Sequence, residues 1–139
     1  HIRSQKILLT WLIDREELFD QVSRYVTPED FTVELYRKVA ELLYEQHAKG
    51  ELNPAQIMNY FTEEEEHRAV AALFNTRIKK LTTAGEQEKA IKETILRVKE
   101  YSIETATRNL DPTDIQGLQR LMNAKKAVQD LHKLHISIN

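Results

Sequence analysis

Apolar residues recur along this chain at helical spacing. Ile7, Leu8, Trp11 and Leu12 share one helix face, and Asp14 then offers a side-chain cap for a second helix carrying Leu18, Phe19, Val22 and Val26. Two short helices are expected to open the fold. In VTPEDF, Thr27 suits a cap, Pro28 a first helical position, and Glu29 and Asp30 the positive end of a helix dipole, so the segment predicts a tight helical turn. From about residue 32 to 49, Tyr36, Val39, Ala40, Leu43 and His47 keep one face, and Gly50 supplies the left-handed residue that ends such a helix. Asn53 and Pro54 restart the pattern with Ile57, Met58 and Phe61 on the buried side. Thr62 is the expected cap of the next helix, whose buried face is Val70, Leu73 and Phe74. The polar and glycine signals of NTRIKKLTTAG then predict a connection, with a boundary near residues 82–85.

Beyond it, residues 86–109 contain neither glycine nor proline and predict a helix of about 36 Å. In RNLDPTDIQGLQRLMNAKK, Asp111 is the expected cap of a final helix, Pro112 its first residue and Asp114 its capping-box acid, which makes NLDP the turn of an αα-hairpin. Each long helix carries two apolar stripes. Ile91, Ile95, Val98 and Ala106 share one face of the first, while Leu96, Ile103 and Leu110 lie roughly 120° around. On the last helix, Ile115, Leu118, Leu121, Met122 and Val128 cluster, whereas Leu131, Leu134 and Ile138 drift to the other side. One antiparallel partner does not cover both stripes. Packing of the hairpin base on the preceding bundle is one account of the surplus, and a docking site for a helical partner is the other. Gly117 permits close approach of a backbone, whether of a partner or across the hairpin. The expected fold is all-α, with a helical bundle over residues 1–82 followed by a long C-terminal antiparallel helical hairpin over 83–139.

Composition agrees with helices: three glycines and three prolines are few for 139 residues, and 41% hydrophobic content is enough for a core. Without cysteine, disulfides, thiol catalysis and cysteine-based zinc sites are excluded. No stretch approaches the roughly 20 apolar residues of a membrane span, and HIRSQK has neither initiator methionine nor signal sequence, so a cytosolic fragment of a larger protein is expected. Residues 1–82 hold 11 basic against 14 acidic residues and 83–139 hold 9 against 8, so neither half is a polyelectrolyte surface for nucleic acid.

Gly-rich phosphate loops, HExxH and GxSxG are absent, and no enzyme activity or cofactor is expected. The four carboxylates at 63–66 suit a helix N-terminus better than a metal, and His132 and His135 lack a neighbouring carboxylate at ligand spacing. The basic pairs in RIKK and NAKK are ordinary on solvated helix ends, and phosphate contact through them, as in a helical DNA-binding module, is the alternative reading.

The succession ILLTWLIDREELFDQVSRYVTPEDF, LYRKVAELLYEQHAKGELNPAQIMNYF, ALFN and the terminal hairpin resembles the C-terminal helicase-interaction domain of bacterial DnaG-type replicative primases over nearly the whole chain. The same plan is similar to the N-terminal collar domain of DnaB-type replicative helicases. There a linker and an ATPase domain would follow, whereas this chain stops just after LHKLHISIN. The primase resemblance implies a non-catalytic bacterial cytoplasmic domain, monomeric alone, whose hairpin docks on the N-terminal domain of the hexameric helicase. Direct nucleic-acid contact and membrane association are not expected of it. Zinc-binding and polymerase domains would lie upstream, and primer synthesis with them. The resemblance places the hairpin at the contact without singling out side chains; the pattern of the hairpin itself makes Leu110, Asp111, Ile115, Leu118, Leu121 and Met122 around the tip the expected contact residues, with Arg120, Lys125 and Lys126 as a charged rim.

Overall fold

The structure, a computed structural model, describes residues 1–75 and 84–133. These are all-helical, with seven α-helices and no strand among them. The expected boundary between residues 82 and 83 lies outside the described residues, as do Lys79, Lys80, Leu134, His135 and Ile138.

Helix α1 (Ile2–Asp14) is the centre of the molecule. Its interior run Leu8, Leu9, Thr10, Trp11 and Leu12 is buried without a break, so the helix has no solvated face there, and helices from both halves of the chain pack against it. Its buried polar groups have partners. Gln5 Nε2 donates to Thr32 Oγ1 at 2.8 Å, Gln5 Oε1 accepts the Val33 N–H at 3.2 Å, and the Thr10 hydroxyl donates to the Lys6 carbonyl at 2.9 Å. Asp14 does not cap a second helix as expected; it is the last residue of α1, because the Arg15 N–H still reaches the Trp11 carbonyl at 2.8 Å. A 3-10 turn (Glu16–Leu18) without a side-chain cap leads instead into the single turn of α2 (Phe19–Val22).

The TPED segment forms the expected tight turn, a 3-10 helix (Pro28–Asp30) in which the Asp30 carboxylate accepts the Thr27 N–H at 2.9 Å. Helix α3 (Glu34–Ala48) buries Val39, Ala40 and Leu43. It ends at Gly50, whose φ of +75° is the left-handed conformation that a Cβ disfavours. The Glu51 N–H then reaches the Gln46 carbonyl and the Gly50 N–H the His47 carbonyl, a Schellman closure. Asn53 caps α4 (Pro54–Tyr60) by accepting the Gln56 N–H at 3.1 Å, and the helix buries Ile57. Helix α5 (Glu64–Asn75) starts one residue later than a Thr62 cap requires, and Val70 and Leu73 are its buried face.

The hairpin is α6 (Ala84–Asn109) and α7 (Ile115–His132). The pairing is antiparallel: Lys92 Nζ donates to the His132 carbonyl at 2.7 Å near one end, while Leu110 and Asp114 flank the turn at the other. Ile91, Ile95 and Val98 of α6 and Leu131 of α7 belong to the same buried cluster as the α1 residues. Packing of the hairpin base on the bundle therefore accounts for the first stripe of α6 as far as Val98.

Candidate docking site at the hairpin tip

The tip is set by two carboxylates three residues apart. Asp111 accepts both the Thr113 N–H at 2.9 Å and the Thr113 hydroxyl at 2.8 Å, which closes a turn over Pro112 and Thr113, and the Asp114 N–H completes it on the Asp111 carbonyl at 2.9 Å. Those hydrogen bonds, the backbone one first, hold the Asp111 carboxyl below its ordinary range. With Asp111 engaged in the turn, Asp114 becomes the cap of α7 and accepts the Gly117 N–H at 2.8 Å. The expected cap at Asp111, with Pro112 as first residue, thus falls outside the helix. A Cβ on Gly117 would overlap the Asp114 carboxylate and come within 3.0 Å of Leu110 Cδ1. The glycine consequently serves the cap and the hairpin seam, and its neighbours are internal.

The apolar residues expected at the contact separate into two sets. Leu121 is only 7% exposed, and Leu110 is half-buried; both lie on the groove side of the hairpin, with Ile103 and Ala106 of α6. Ile115 at 77%, Met122 at 62% and Leu118 at 46% exposure, spaced i, i+3 and i+7, face solvent on α7, with Leu118 about 60° around the helix from Leu121 and the other two roughly 100° or more. Arg120, Lys125 and Lys126 are exposed, and among the described residues none has a carboxylate within ion-pair distance. Asp111 is exposed as well, although its carboxylate is occupied by Thr113. A solvent-facing stripe of three large apolar side chains is unusual, since isolated exposed apolar residues are ordinary but contiguous ones mark interaction surfaces.

Behind that stripe, a groove of 520 Å³ runs between the TPED turn and the hairpin. Its floor holds a cluster that the sequence reading missed. The Asp30 carboxylate takes four hydrogen bonds: the Thr27 N–H, Lys99 Nζ on both oxygens at 3.1 Å, and the Ser102 hydroxyl at 2.8 Å. The Asp30 and Lys99 side chains are 11% and 13% exposed, so this pair is well removed from water. It fastens α6 to the bundle just where the apolar contact of Val98 ends. Burial, and secondarily the Asp30 charge, push the Tyr44 hydroxyl well above the ordinary tyrosine range; that hydroxyl donates to the Val26 carbonyl at 2.7 Å. The visible signal was an acid at the third position of a capped turn. Nothing local points from it to a lysine 69 residues away.

Among the described residues no three His, Asp or Glu side chains group as metal ligands, and no helix is long and apolar enough to cross a membrane. His132 lies 4.0 Å from the Glu100 carboxylate across the hairpin base. What the tip and α7 offer chemically is surface: apolar area, exposed cations and a hydrogen-bonded turn. No family model, characterised protein or solved structure matches this chain.

Proposed function

We propose that this chain is a non-catalytic helicase-interaction domain of a bacterial DNA primase. It docks the primase on the N-terminal domain of the replicative helicase in the cytoplasm, so that RNA primers are made at the replication fork. The observation that supports this reading is the solvent-facing stripe Ile115, Leu118 and Met122, held at the end of a long hairpin beyond the main core. Such a stripe at i, i+3 and i+7 is the form in which one helix presents itself to another. The domain contributes tethering: it raises the effective concentration of the polymerase on freshly unwound DNA and requires no cofactor or chemical step of its own.

Leu118→Asp tests the reading by calorimetry with the helicase N-terminal domain. A loss of at least about tenfold, 1.4 kcal/mol, is expected with the helical circular dichroism unchanged. Leu121→Asp is the companion variant: it places a carboxylate in the hairpin seam and lowers helicity as well as binding. Full affinity in Leu118→Asp would refute the docking face, and a concentration-dependent hexamer of the wild-type chain in sedimentation would identify it as a helicase collar instead.

A further inference from the structure

The outward side of α7 is not uniform along its length. At 100° per residue, Ile115, Met122, Lys126 and Lys133 fall within about 40° of one line, with Leu118 and Lys125 together on one flank. All six are exposed. The order is apolar near the tip and cationic toward the base, over roughly 27 Å of helix axis. Among the described residues, neither Lys125, Lys126 nor Lys133 forms an ion pair. Asp130, on the other flank, is the one carboxylate on that side of α7 among the described residues. The overall charge of the chain is −2, so these cations are a local feature of one helix face rather than part of a basic molecule.

We propose that this face gives docking a fixed direction: the partner contributes a helix whose apolar half covers Ile115, Leu118 and Met122 and whose carboxylate-bearing half lies over Lys125, Lys126 and Lys133. The identity of the partner as the helicase N-terminal domain rests on the reading above; the chemistry of its helix is the new element. Charge complementarity over one half of a contact chooses between the two directions in which an amphipathic helix can lie on an apolar stripe, and it accelerates encounter in a salt-dependent way. A nucleic acid would use the cations but leave three large apolar side chains in water, so the stripe favours a protein helix.

The test is titration of the 139-residue chain with the helicase N-terminal domain at low and high salt, in the wild type and in Lys125→Glu/Lys126→Glu. Both lysines are exposed, and unchanged circular dichroism confirms that the variant is folded. The expected result is about tenfold weaker binding at low salt and a flatter salt dependence, with Lys125→Gln/Lys126→Gln falling between. Wild-type affinity and salt dependence in the reversed variant would overturn the direction while leaving the docking reading intact. Failure of the wild-type chain to bind the helicase domain would overturn both. Lysine-dependent binding of a single-stranded oligonucleotide that leaves Leu118→Asp unaffected would assign the cations to nucleic acid and overturn the proposal.

Discussion

Asp30→Asn removes one charge from the groove floor while keeping the shape of the side chain. The amide group then brings N–H donors toward Lys99 Nζ or Ser102 Oγ, which are themselves donors to this residue, so at least one of the four hydrogen bonds is lost. Removing one partner of a fully buried ion pair costs about 3–5 kcal/mol, and a hydrogen bond to a charged group contributes about 1.5–3. At 11% and 13% exposure the Lys99 ammonium can still turn toward water, which places the expected loss at about 2–3 kcal/mol. For a chain of this length that is a fall in Tm of roughly 6–10 °C, read by thermal circular dichroism. A double-mutant cycle with Lys99→Met, which keeps the apolar stem, isolates the pair, and a coupling of about 1–2 kcal/mol is expected. A stability change below about 0.5 kcal/mol in Asp30→Asn, or additive single variants, would refute the clamp.

Gly117→Ala ordinarily stabilises a helix by about 1 kcal/mol, yet here the added methyl overlaps the capping carboxylate, so a net loss of about 1 kcal/mol is expected in urea unfolding; a gain would refute the cap geometry. The carboxyl of Asp111 is lowered in the folded state, so its contribution is present above the ordinary aspartate value near 4 and is lost as pH falls through the lower folded value. A carboxyl-carbon NMR titration should show that depressed midpoint, and Thr113→Val, which removes only the hydroxyl contribution, should move it partway back.

Local chemistry made much of this fold legible. Gly50, Asn53 and Pro54 announce a helix stop and start within a few residues, and the structure places the elements there because caps and left-handed turns are decided by nearest neighbours. Tip carboxylates were harder, since Asp111 and Asp114 are both competent caps; Thr113 engages the first and so leaves the second to accept the Gly117 N–H, where the absent Cβ keeps clear of that carboxylate and of Leu110. Division of the last helix into seam and outward face was similarly hidden. Leu118 and Leu121 are about 60° apart on the helix, a difference resolved by where α6 sits rather than by periodicity. Clusters such as Asp30, Lys99 and Ser102 join turns to helices across the chain, and periodicity carries no information about them.

The clamp at Lys99 and Ser102 also fixes a lever. Helix α6 is rooted on α1 through Ile91, Ile95 and Val98, and only the seven residues from Ile103 to Asn109 overhang the last fastening point, a reach of roughly 10 Å. Tilting so short a cantilever by about 10° moves its end by roughly 2 Å, less than half a helix turn. A load applied at the tip therefore falls first on the Lys99 and Ser102 bonds to Asp30 in the 3-10 turn, with the contacts of Ile91, Ile95 and Val98 behind them.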